Sequence, residues 1–252
     1  MTLFLSWKGS AQNLSNRGRE FWVGYGHHQF MEPGQSNTQE MVLYFSAEQA
    51  ASVKVTIKGR AGTLVKTYPV PANTVIASDF MPKAGTLDCR LYDLPPSFGG
   101  TGGEGLYDLS IHIESDVPIV AYSHTFGSAS SGATMLIPVE TYGHQYYSLN
   151  STQVYQPNCF SWAYVVAAYD NTVVEITPSV QTRTGKPANV PFRVNLSKGQ
   201  IYQVIGANLT GGSTSLELTG TRFRSVANAS GDCYPVAVFS GSSRTSNPIS
   251  CG

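Results

Sequence analysis

The chain has 252 residues, 41% of them hydrophobic, which is room for one large domain or two ordinary ones with a real core. Only 13% are charged, and sixteen basic residues cancel sixteen acidic ones, so there is no basic stripe to neutralise phosphates and no nucleic-acid partner is expected. No apolar run approaches the ~20 residues of a membrane helix, so no membrane insertion is expected either.

Residues 1–12, from Met1-Thr2-Leu3-Phe4-Leu5, read as the remnant of a secretory signal: a short apolar core, then small residues before a cut. From Phe21 onward, short runs rich in β-branched and aromatic residues follow one another: Phe21-Trp22-Val23, Met41 to Ser46, Ser52 to Ile57, Leu64 to Val70 and Thr74 to Ala77. Gly, Pro, Asn and Ser punctuate them. Leu106 to Glu114 alternates, with Leu109, Ile111 and Ile113 on one face and Ser110, His112 and Glu114 on the other. Further on come Trp162 to Ala168, Thr172 to Thr177, Phe192 to Leu196, Gln200 to Ile205, Ser215 to Leu218, Phe223 to Ala227 and Val236 to Ser240. Pro118 to Ser123 and Pro235 to Ser240 are unbroken apolar runs. They predict strands covered on both faces, with Val120 and Val238 buried.

The chain also repeats itself. Val55-Thr56-Ile57 is answered by Val174-Glu175-Ile176, Asn73-Thr74-Val75-Ile76 by Gly199-Gln200-Ile201-Tyr202, and Pro118-Ile119-Val120-Ala121-Tyr122-Ser123 by Pro235-Val236-Ala237-Val238-Phe239-Ser240. Three landmarks in one order predict an all-β chain of two tandem, related antiparallel β-sandwich modules packed together. The first covers 17–140. The second covers 141–252 and is read as cut short at its C-terminus.

Motifs that carry chemistry are weak. Gly100-Thr101-Gly102-Gly103-Glu104-Gly105 spells a dinucleotide loop, but a strand rather than a helix follows it, so the phosphate site does not form and no cofactor is expected. His27-His28 sits after a strand, where neighbours point opposite ways, and no spacing joins His112, His124 or His144 to them; no metal is expected. Gly127 to Gly132 is serine-rich but lacks a nucleophile elbow. Glu104, Asp108, Glu114, Glu140 and Glu175 fit turns and exposed faces rather than a glycosidase pair. No catalytic residue is therefore assigned. Trp7, Trp22 and Trp162, with Tyr25, Tyr146, Tyr147, Tyr155 and Tyr164, suit either a carbohydrate-stacking platform or ordinary core packing.

Four cysteines, Cys89, Cys159, Cys233 and Cys251, show no CxxC pairing. Cys159 and Cys233 each precede a strand. In a Greek-key sandwich of the immunoglobulin kind those two strands run in the same direction on opposite sheets, so Cys159–Cys233 is the expected disulfide. Cys233–Cys251 is the rival, and four free thiols the third possibility. Asn-x-Ser/Thr sequons stand at Asn13, Asn150, Asn195, Asn208 and Asn228.

Gly18-Arg19-Glu20-Phe21-Trp22-Val23, Asp116 to Tyr122, Ala133 to Val139, Asn171 to Pro178, Leu196 to Gln203, Leu218 to Thr221 and Pro235 to Gly241 together resemble, in order, the IgG Fc-binding protein amino-terminal domain family. Gly24 to Glu32 and Gly127 to Met135 look like its bacterial branch. The resemblance implies an extracellular, non-enzymatic module near the front of a larger surface protein, with an unnamed glycan or protein ligand. Ser242-Ser243-Arg244 stands where the mammalian form has a cysteine, so that disulfide does not carry over. An architectural spacer and a secreted carbohydrate-active enzyme are the competing readings.

Overall fold

A computed structural model describes residues 15–128, 130–152, 158–208 and 215–245. The proposed signal remnant, Trp7 and Cys251 lie outside these residues. The first half contains β1 (Gly18–Gly24), β2 (Glu40–Ala47), β3 (Ala51–Lys58), β4 (Thr63–Val70), β5 (Thr74–Ala77), β6 (Gly105–Tyr107), β7 (Ser110–Gly127) and β8 (Ser130–Met135). The second contains β9 (Gln145–Tyr147), β10 (Ser161–Ala167), β11 (Thr172–Thr177), β12 (Phe192–Leu196), β13 (Ile201–Ile205), β14 (Arg222–Val226) and β15 (Val236–Ser242). Every strand pair is antiparallel, and the chain is all-β.

The alternating burial of β3 sets the pattern. Val53, Val55 and Ile57 point inward and are buried, while Ser52 and Lys54 are exposed. β7 is 18 residues long and serves two layers. Its first half pairs with β1 and β3, and its second half with β2 and β8. The changeover falls around Asp116 and Pro118, where a residue without an N–H is tolerated. Phe21, Val55, Ile57 and Ile111 from one layer meet Leu43, Phe45, Ile119 and Ala121 from the other in one core.

The second half divides the same job between separate strands. One sheet runs β15-β10-β13-β6 and the other β12-β11-β14-β9. Ala163, Val165 and Val204 face Val174, Ile176 and Phe223 across the second core. The ladders of the halves correspond strand for strand. β4-β3-β7 answers β12-β11-β14, and β7-β2-β5 answers β15-β10-β13. The registers correspond too. Tyr44 stands opposite Tyr122 and Ala77, as Tyr164 stands opposite Phe239 and Gln203. Ile57 lies between Leu64 and Ile111 as Ile176 lies between Phe192 and Phe223.

A third core cluster joins the halves, with Trp22, Leu91, Tyr107 and Leu109 against Tyr142, Tyr164, Val166, Ile201 and Ala237. β6 strengthens this joint, because it precedes residue 140 in the chain yet edges the sheet of β13. The two continuous apolar runs are a correction. Val120 and Val238 are only half-buried, while Ile119, Ala121, Val236 and Ala237 are fully covered. Both runs keep the strand's two-sided geometry, and one side of Val120 and Val238 remains open.

The cysteine geometry is a second correction. β10 and β15 are neighbours in one sheet and run antiparallel, with Ser161 opposite Ser242 and Ala167 opposite Val236. Cys159 precedes one end of this pair and Cys233 the other, so about 20 Å of strand lies between them at ~3.4 Å per residue. The same-direction, opposite-sheet premise for a Cys159–Cys233 bridge does not hold. Cys159 is buried, and the exposed Cys233 has its Sγ 3.3 Å from Ser225 Oγ and 3.5 Å from His144 Nδ1. Buried Cys89 donates to Pro82 O, and burial pushes its thiol up to about 12.

Candidate functional site

A cleft of about 900 Å³ opens between the two halves. One wall is β8, with Ser123 and Thr125 of β7 beside it. The other wall is the outer face of the β10–β15 pair. Strand alternation places Trp162 and Tyr164 on that face, and their registered partners Gly241 and Phe239 join them. The rings form a stack: Trp162 to Tyr164 at 5.6 Å and Tyr164 to Phe239 at 5.1 Å.

Trp162 needs two glycines. A Cβ on Gly241 would come within 2.7 Å of the indole, and one on Gly26 within 2.9 Å. The indole thus fills space left by one glycine from each half. Tyr164 ties the halves together. Its hydroxyl accepts the Gly24 N–H at 3.0 Å and donates to Gly24 O at 3.1 Å. Trp162 Nε1 and Asn150 Oδ1 are buried, and neither has a hydrogen-bond partner among the described residues. Both residues line the cleft. One is a donor and the other an acceptor, and leaving such atoms unmet costs free energy.

His27 and Ser243, which line the cleft floor, belong to a buried polar network. His27 Nε2 meets Glu32 Oε1 at 2.7 Å, and Arg183 grips both Glu32 oxygens at 2.7 and 3.2 Å. Arg183 also donates to Gly102 O and covers the Phe160 ring at 3.8 Å. His27 Nδ1 lies 2.5 Å from Ser243 Oγ. Burial holds the His27 imidazole below its ordinary range, against the pull of Glu32. Its two neighbours hold the Glu32 carboxyl low despite burial. Burial, followed by the charge of His27, lowers His28 to about 4.

Ser243, His27 and Glu32 connect as a nucleophile, base and acid would. The hydroxyl, however, is committed to backbone: it accepts the Phe160 N–H at 3.0 Å and also bonds Phe160 O at 2.8 Å. All three residues are buried. The cleft itself has no carboxylate among its described lining residues, so the paired acids of glycoside hydrolysis are not placed there.

The other sequence candidates scatter. His112 stacks on Trp22 at 3.8 Å and bonds Glu20, and His124 bonds Ser131. No group of three His, Cys, Asp or Glu residues able to hold a metal occurs among the described residues. Trp22 is core, whereas Trp162 is part core and part cleft. The sequence does not announce β8 as a strand, although its serine-rich run is plain.

Most of β8 and the whole β10–β15 face fall within one recognisable stretch of sequence. Residues 132–252 match the model of the IgGFc binding protein family. The IgGFc-binding match takes in Gly132 to Met135 of β8 and the whole aromatic wall. No curated protein matches the chain. A solved structure, "Crystal Structure of Thermotoga maritima 1070", is similar over 50% of this chain and 98% of its own, at 16% identity and a TM-score of 0.33.

Proposed function

We propose that the chain is a non-enzymatic, extracellular binding or adhesion module of a larger secreted or surface-anchored protein. On this reading the inter-module cleft is its ligand site. Two related tandem sandwiches, 17–140 and 141–252, hold the cleft walls. The observation that carries the reading is the aromatic wall with its unmet donor and acceptor, Trp162 Nε1 and Asn150 Oδ1. The IgGFc binding protein family match over the same region supports a protein-binding role. Proteins commonly hold ligands in clefts that combine apolar walls with a few placed polar groups.

The test uses immobilised IgG Fc and a glycan array as probes, read with the wild-type chain and with Trp162→Ala. A signal lost in Trp162→Ala is the expected result. Silence on both probes favours the architectural spacer, which the broad core joining the halves also suits. With Cys159 and Cys233 apart, Cys233–Cys251 is the remaining proposed disulfide. Peptide mapping of exported protein without reductant checks it, and an alkylated Cys233 rules it out.

A further inference from the structure

We propose that the cleft takes an extended segment of a partner protein as an added β-strand on the free edge of β8. The inference rests on the cleft being the ligand site, and it names the ligand class and the backbone atoms that bind it.

The register identifies those atoms. β8 pairs with β7, with Met135 opposite Tyr122 and Ser131 opposite Phe126. Leu136 N–H donates to Ala121 O at 2.9 Å, which makes that pair a hydrogen-bonded one. Hydrogen-bonded pairs recur every second residue in an antiparallel ladder. Thr134, Gly132 and Ser130 therefore turn their backbone groups toward β7, and those of Ser131, Ala133 and Met135 point away. Among the described residues β8 has no strand on that second side.

This edge opens into the cleft. Successive side chains of a strand point to opposite faces, so one face lines a cavity with every second residue. All six residues of β8 line the cleft, consecutive ones included, as a strand with its edge turned inward does. Natural edges are usually blunted by lysine, proline or a bulge. β8, Ser-Ser-Gly-Ala-Thr-Met, has no charge, no proline and an unbroken register. Asn16 Nδ2 meets Met135 Sδ at 3.0 Å, so the open stretch ends near Thr134.

The two faces of an incoming strand would meet different surroundings. On one side lie the aromatic wall and the hydroxyls of Ser240 and Ser242. On the other lie Tyr122 and Met135, 39% and 43% exposed although large and apolar. The fitting partner is an extended peptide with apolar residues at alternate positions. Main-chain bonds supply its affinity and the alternate pockets its specificity.

The experiment pans a library of random nine-residue peptides against the full chain and synthesises the peptides selected. Methylating backbone nitrogens one at a time should give an alternating pattern, in which every second methyl abolishes binding. Ala133→Pro removes one outward N–H without touching the β7 ladder. It should weaken binding about tenfold or more at an unchanged melting temperature, while Ala133→Val, which keeps the N–H, should bind. An empty selection, uniform tolerance of methylation, or unchanged affinity of Ala133→Pro overturns strand addition. So does a concentration-dependent dimer abolished by Ala133→Pro, which would assign the edge to a second copy. Binding to a glycan or to IgG Fc that needs Trp162 but ignores Ala133→Pro sinks strand addition and leaves the cleft as the ligand site.

Discussion

Two polar settings lie against each other at the joint between the halves, and they are finished differently. In the His27–Glu32–Arg183–Ser243 network the charged groups are paired, and one side chain after another spans the joint. In the cleft wall just above it, Trp162 Nε1 and Asn150 Oδ1 have no partner among the described residues. A satisfied network holds two bodies in place, whereas an unsatisfied pair beside an open cavity suits a ligand. Mutation and pH can break or sharpen this contrast.

The largest effect is expected from Arg183→Ala. It removes the partner of a buried carboxylate and the cation over Phe160, and should cost about 3–5 kcal/mol. Urea unfolding measures it, and a loss below about 1 kcal/mol would make the network an ornament of the joint. Acid should come next. His28 titrates at about 4 when folded and 6.5 when free, and His27 is lowered as well. The unfolded chain takes up protons that the folded chain refuses. Stability is therefore complete above pH 6.5 and falls as the pH drops through the window to about 4. The fall is about 3 kcal/mol for His28, with Glu32 adding a further loss in stronger acid. His28→Gln should flatten the urea midpoints measured between pH 7 and pH 4.5, and a curve as steep as the wild type's contradicts the assignment.

Ser243→Ala leaves the Phe160 N–H buried without its acceptor, and about 1–3 kcal/mol is expected from calorimetry. The smallest stability effect belongs to the cleft. Trp162→Phe deletes a donor that nothing described accepts, and should change stability by less than about 1 kcal/mol. If Trp162→Phe destabilises as much as Ser243→Ala, the wall is structural and the contrast collapses.

Much of the fold was legible. Val53, Val55 and Ile57 alternate strictly, and the landmarks shared with Val174-Glu175-Ile176 mark strands that hold equivalent places in their ladders. The aromatic wall is half legible, since Trp162 and Tyr164 stand out in the sequence but the cleft they wall does not. β8 was invisible because Ser130 to Thr134 has weak intrinsic strand preference; pairing with β7 makes it a strand. The cysteine pairing failed because strand direction is a property of topology, and Cys159 and Cys233 look alike in sequence. The network is illegible for a related reason: His27 and Glu32 are neighbours in sequence, but Arg183 and Ser243 come from the far half of the chain.

The long strand β7 has a mechanical consequence. In the first half one continuous backbone belongs to both layers, so neither layer can slide or peel without dragging the other. In the second half the equivalent places are taken by β14 and β15, with the loop of residues 227–235 between them. Amide exchange should therefore show the first half opening as one cooperative unit and the second opening layer by layer. Under tension along the chain, the first half is the stiff segment and the second the one that yields in steps.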